Sequence, residues 1–339
     1  MKTMALAMLL VVLPAAPSLA DSFMDNEREQ QVLRAQELLL NDRFEAADSV
    51  YRVYIALHPD DPTGYLFRAG ALFAEMADRE EKIHADIFRS TLDTVDILTS
   101  RIADTADART TAWMYLFRGH ARAYRSLYES KFGSFLTALK LGLKTIDEYE
   151  NGLQRDSTLI DLYAGIGSYH YWKSAKAGFL KWIGVFKDER DKGIRELRRA
   201  ADSSLLHRDL ARSALVWIWL DQKEYDSATA IASALYERFP EGKTFLWPMA
   251  YACYRSNNYP KAAELFSRIR ALLEKVPGNY FNLIECDYHL VQCYSWMGED
   301  DRAVEAAQRS ASYRDKIPNE TLKRQHGRMN YLTRIAQRR

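Results

Sequence analysis

Leu215, Val216, Trp219, Tyr225, Ala228 and Leu235 are followed by Met249, Ala250, Cys253, Tyr259, Ala262 and Ile269, the same run of positions written again 34 residues later. A repeat of that period is the sequence sign of a helical solenoid. Within the first copy, Leu215, Trp219 and Leu220 share one helix face. The polar run 221–224 breaks that face and reads as a tight turn. Ala228, Ala232 and Leu235 then form the stripe of a second helix, which Pro240 stops because proline cannot continue the hydrogen-bond ladder. Alanine at a contact lets a second helix axis approach closely. Tyr225 and Tyr259 open the second helices, where an aromatic ring can pack back on the first.

The pattern extends in both directions. Phe44, Ala47, Tyr51 and Pro59 fit it, and so do Gly298, Ala303 and Ala307, although Ala262 to Ala303 is lengthened to 41 residues. These residues resemble the tetratricopeptide repeat, with its small and aromatic residues on paired helices. The resemblance implies an all-α, right-handed α-α superhelix: a solenoid of antiparallel helix pairs with a concave binding face. It also implies a protein-interaction scaffold rather than an enzyme.

Two heptapeptides, Tyr65-Leu66-Phe67-Arg68-Ala69-Gly70-Ala71 and Tyr115-Leu116-Phe117-Arg118-Gly119-His120-Ala121, are near copies 50 residues apart. That spacing predicts a long second helix over 80–103. The reading divides the chain into a leader, 1–20, and a solenoid, 21–339. The solenoid has irregular repeats over 25–205, regular repeats over 207–313 and a capping helix over 318–337. Gly165 and Gly167 lie inside a helix predicted over 159–172, where each glycine costs about 1 kcal/mol relative to alanine. Close helix packing is the expected reason. Residues 173–187 interrupt the pattern as an insertion. From Gly165 through Arg190 to Gly193 the chain is similar to the eukaryotic Iml2 and TTC39 tetratricopeptide proteins.

Lys2, an apolar run over 4–13 and Ser18-Leu19-Ala20 make a secretory leader with cleavage after Ala20. Its apolar core is too short to span a bilayer comfortably. The expected location is the periplasm or the extracellular space. Without the leader, Lys+Arg falls from 47 to 46, equal to Asp+Glu at 46. That balance argues against a nucleic-acid partner. Hydrophobic residues make up 47% of the chain, which argues against extended disorder.

Cys253, Cys286 and Cys293 fall on apolar stripes and read as buried hydrophobes, with pairing of Cys253 to a cysteine of the next helix as the alternative. Cys286, His289 and Cys293 share a helix face but lack a fourth ligand, so no metal or cofactor is expected. His170, set among Tyr169, Tyr171 and Trp172, reads as a hydrogen-bonded core residue. No nucleophile elbow or phosphate loop occurs.

Binding is the stronger case. Tyr65, Arg68, Tyr115, Arg118 and Arg122 are the candidates for a groove that takes a protein or peptide ligand. The insertion offers a second surface. Phe179, Trp182 and Phe186 with Lys176 and Lys181 could plug the solenoid or dock on a membrane surface or an acidic partner without spanning a bilayer. The functions that follow are an envelope scaffold, an assembly adaptor at the membrane surface, or an accessory domain for a glycan-processing enzyme.

Overall fold

The computed structural model describes residues 23–176 and 187–338. Among the described residues there are sixteen α-helices and no strand. They run as antiparallel pairs: α1 (Asn26–Leu40) with α2 (Phe44–Leu57), α3 (Pro62–Arg79) with α4 (Ala85–Ala103), and α5 (Ala108–Phe132) with α6 (Phe135–Arg155). Next come α7 (Leu162–Lys176) with α8 (Arg190–Ser203), and α9 (Arg208–Asp221) with α10 (Tyr225–Arg238). The last pairs are α11 (Leu246–Arg255) with α12 (Tyr259–Glu274) and α13 (Tyr280–Met297) with α14 (Asp300–Ser312). α15 (Asn319–Arg324) and α16 (His326–Ala336) close the array.

One turn recurs inside four of these pairs. Asp42, Lys223, Asn257 and Gly298 all have positive φ, between 59° and 73°. The next residue in each case, Arg43, Glu224, Asn258 or Glu299, sends its N–H back five residues, to Leu38, Trp219, Cys253 or Tyr294. This left-handed cap closes the first helix and aims the second back along it. Three residues into the second helix stands the alanine of the pattern. Ala47, Ala228, Ala262 and Ala303 are all buried, as expected of a small residue that lets two helix axes approach closely. Tyr259 packs edge-on against Tyr254 of the preceding helix, with ring centroids 5.9 Å apart.

The glycines of α7 are close contacts. A Cβ on Gly165 would lie 2.2 Å from the Tyr149 ring, and one on Gly167 would lie 2.7 Å from the Gly193 carbonyl. The α7 and α8 backbones therefore touch where they cross.

Three boundaries differ from expectation. The helix expected over 159–172 runs on to Lys176, so the first four residues of the stretch 173–187, read as an insertion, belong to α7. The helix predicted over 80–103 starts at Ala85, because Glu80 takes a left-handed conformation, φ 59°, and caps α3. The helix predicted over 318–337 is broken at Gln325, whose buried side chain donates to the Phe281 carbonyl, 3.2 Å away.

The superhelix is wound tightly enough that its first two pairs meet the later ones. The α1–α2 turn sits on the loop between α10 and α11. Asn41 accepts from the Glu241 N–H, and Asp42 accepts from the N–H and the ammonium of Lys243. A Cβ on Gly242 would be 2.4 Å from the Leu40 carbonyl. The end of α3 reaches further along: Asn279 and Asn282 donate to the Asp78 carbonyl, and Arg324 pairs with Glu80. At the centre of this seam, Lys243 lies 2.9 Å from Asp42 and 3.0 Å from Asp78. Burial alone would lower the Lys243 ammonium, but the two carboxylates outweigh it and hold it above its ordinary range. Burial raises Asp78, and Asp42 beside it adds to the rise.

Candidate binding surfaces

The heptapeptides form part of the largest core. Leu66, Phe67, Leu116 and Phe117 are buried, and the two matching phenylalanine rings meet edge to face, 6.0 Å apart. Phe23, ahead of α1, packs on Phe117 at 5.7 Å, and His207, ahead of α9, stacks on Phe67 at 6.3 Å. The chain's own residues thus cover the inner faces of α3 and α5.

The five candidate groove residues stay at the edge of this core. Tyr65 donates to the Pro59 carbonyl. Arg68 pairs with Asp48 of α2 at 2.7 Å. Arg118 stacks on Tyr115 at 4.4 Å, and it shares Glu148 of α6 with Arg122 at 3.1 and 2.8 Å. The structure brings Tyr115, Arg118 and Arg122 together and sets Arg68 on a different neighbour. Of the insertion residues, Lys176 lies over the Trp172 ring at 5.2 Å. Phe179, Lys181, Trp182 and Phe186 fall outside the described residues.

Each histidine holds a partner from its own chain. His170 is buried, with Nδ1 2.6 Å from Glu196 and Nε2 3.2 Å from Lys192. His289 meets Glu285 at 3.2 Å. His207 meets Asp161 at 2.9 Å, and Asp161 also accepts from the N–H groups of Leu205, Leu206 and His207. Cys253, Cys286 and Cys293 are free thiols. Burial pushes Cys293 up to about 12 and Cys286 well above its ordinary value, so neither is a ready thiolate. Among the described residues, no group of three or more His, Cys, Asp or Glu is placed to hold a metal ion, and no helix is long and apolar enough to cross a membrane.

One open cleft has the make-up of a recognition site. It lies between α8 and α10 over α9 and encloses about 590 Å³. Leu215, Trp219, Ile231 and Leu235 line its depth, and Ala230 and Ala234 leave one wall low. Arg198, Arg212 and Arg238 stand on the rim, together with the one carboxylate of Asp202. Arg212 and Arg238 both reach Asp209, at 3.3 and 2.7 Å. Arg198 lies over the Trp219 ring at 5.5 Å and has no carboxylate partner among the described residues. An apolar floor under a guanidinium suits an apolar side chain flanked by a carboxylate. Sequence reading missed this cleft, whose walls come from two different repeats. Arg198 alone carried a trace of it, as an arginine beside an alanine stripe.

No protein-family model matches the chain, and no curated protein matches it. Solved structures do. The C-terminal part of a TPR repeat-containing protein from Cytophaga hutchinsonii is 18% identical, with 86% of this chain and 98% of that one covered and a TM-score of 0.43. A thermophilic TPR protein of Thermus thermophilus is 17% identical over 67% of this chain and 99% of its own, at a TM-score of 0.42. A chain of the APC/C hetero-tetramer Cut9–Hcn1 is 13% identical, covers 91% of this chain, and superposes with a TM-score of 0.54; this protein spans about half, 54%, of its length. The shared feature is the solenoid fold.

Proposed function

We propose that this chain, an all-α superhelix of the tetratricopeptide type, is an exported, non-catalytic scaffold that binds a protein or peptide segment. The observation that supports the reading most directly is the cleft between α8 and α10, with Trp219 at its base and Arg198 unpaired with any carboxylate above it. Phe23 and His207 pack on Phe117 and Phe67 of α5 and α3, and the cleft is a second candidate beside the groove expected around Tyr65 and Arg68. Its ligand carries an apolar side chain next to an acidic one. Export follows from the leader at 1–20, and the mature chain would start at Asp21.

The test is peptide display against the wild type, with Ala234→Trp as counter-selection. Ala234 is exposed in the cleft wall, so the indole fills the cleft while the core stays intact. The expected result is a set of apolar–acidic peptides that bind the wild type and lose affinity for Ala234→Trp and Arg198→Glu. Peptides that bind all three proteins equally would remove the cleft from the function. N-terminal sequencing of the secreted protein checks the export step.

A further inference from the structure

The break at Gln325 separates α15 from α16, and another cleft, of about 540 Å³, lies beside it against α13. Arg324 of α15, Arg328, Tyr331 and Arg334 of α16, and Tyr288 of α13 line it. The two tyrosine rings meet edge to face, 5.4 Å apart. Arg328 lies over Tyr288 at 5.3 Å and Arg334 over Tyr331 at 6.0 Å, so each ring steadies a guanidinium. Glu80 holds Arg324, and the buried Glu285 and Gln325 hold Arg328. Arg334 is exposed, and none of its five N–H donors meets an acceptor among the described residues. The α8–α10 cleft and three further clefts each have an aspartate or glutamate in their walls, whereas this one has none. Of the carboxylates on α13 and α15, Glu285 and Asp287 are buried in pairs with Arg328 and Arg270, and Glu320 makes no ion pair with the arginines of the cleft. α16 has no acidic residue. From Arg314 to Arg339 the sequence has six arginines and two lysines against Asp315 and Glu320, in a chain whose net charge is +1.

We propose that this cleft binds the phosphate group of a small soluble ligand. The number of donors selects that class. A carboxylate takes one guanidinium in a bidentate pair, whereas three around one space match a group with about two negative charges and three acceptor oxygens. The first turn of α16 forms one wall, so the positive end of its dipole adds to the same field. Gly327 stands in that turn, and a Cβ on it would meet nothing within 4 Å, which leaves the mouth open beside the arginines. The volume is in the range of small-molecule sites. No residue of α15 or α16 is an exposed large hydrophobic, so neither helix has an apolar face to enter a bilayer. The site shares no residue with the α8–α10 cleft and stands apart from the peptide-binding reading.

Titration calorimetry with inorganic pyrophosphate, at low salt in a phosphate-free buffer, tests it. One site per chain is expected, with an affinity that falls as salt rises. Arg334→Glu should weaken binding by about tenfold or more. Gly327→Asp places a carboxylate in the mouth and should do the same. An acid in the first turn of a helix is favourable, so the melting temperature of Gly327→Asp should not fall, which separates lost binding from lost folding. Gly327→Ala should bind as the wild type does. Four results overturn the proposal. The first is no heat with millimolar pyrophosphate. The second is binding that Arg334→Glu and Gly327→Asp both retain. The third is citrate bound as tightly as pyrophosphate, which gives the cleft to carboxylates. The fourth is flotation with phosphatidic acid vesicles, lost in both variants, from a protein that ignores pyrophosphate, which gives it to a lipid headgroup.

Discussion

His120 makes the fold sensitive to acid, and the size of the effect follows from its surroundings. The ring lies on α5, with Nδ1 3.0 Å from the Leu116 carbonyl and 3.2 Å from the Tyr149 hydroxyl. Its centroid is 4.6 Å from the His207 ring, and Asp161 stands behind that ring. Tyr124 closes the other side at 6.3 Å. Burial first, then the neighbouring His207, push His120 down to about 3. An unfolded histidine titrates near 6.5, at about the ordinary value.

The folded state therefore binds fewer protons than the unfolded state between those limits. The stability is fully present above pH 6.5 and drains away as the pH falls toward 3. At pH 5 the unfolded chain gains RT ln(1 + 10^1.5), about 2 kcal/mol, from this one group. His120 is only partly buried as a residue, so about 2 kcal/mol is the upper figure. Urea unfolding at pH 7.5 and pH 5.0 measures it. His120→Gln should lose stability at pH 7.5, by about 1 kcal/mol for a weakened hydrogen-bond set. It should then lose up to about 2 kcal/mol less than the wild type on going to pH 5. Parallel losses in the two proteins would show that His120 is not the group that titrates.

Three further outcomes test the packing. Gly167→Ala places a methyl group 2.7 Å from a backbone carbonyl that cannot step aside, and should cost about 1–3 kcal/mol; a wild-type melting curve would mean that α7 and α8 do not touch. Lys223 has φ 65°, a conformation that costs a side-chain-bearing residue about 1–2 kcal/mol, so Lys223→Gly should stabilise by up to about 1 kcal/mol after the chain-entropy loss, and destabilisation would refute the turn. Lys243→Met leaves Asp42 and Asp78 without their shared cation and should cost about 3–5 kcal/mol at neutral pH; burial already raises Asp78, so part of that loss should return as the pH falls and Asp78 takes up a proton, and a pH-independent loss would count against the seam.

The local architecture could be read from the sequence because its causes are local. The polar run over 221–224 located the turn that holds Lys223, and the 34-residue register located the buried Ala228 and Ala262. The helix break at Glu80 could not be read, because the residues there favour a helix as much as their neighbours do. It is held by Lys131 and Arg324 from distant helices. The same holds for Gln325 and its bond to Phe281. Arg68 and Arg118 occupy equal slots in the heptapeptides, yet one meets Asp48 before it and the other Glu148 after it. Equal sequence slots do not imply equal neighbours when the repeats differ in length.

The seam alters how this chain has to fold. In an open repeat array each unit leans only on its neighbours, so the end units fray and order can spread from any point. Here Asp42 must find Lys243 across 201 residues, a closure whose entropy is lost before any contact rewards it. Folding should therefore be slower than in a linear array of equal length. In return the first two pairs cease to be an end: melting them alone would also break the contacts of the α10–α11 loop, α13 and α15, which binds the opening of one rim to the opening of the other.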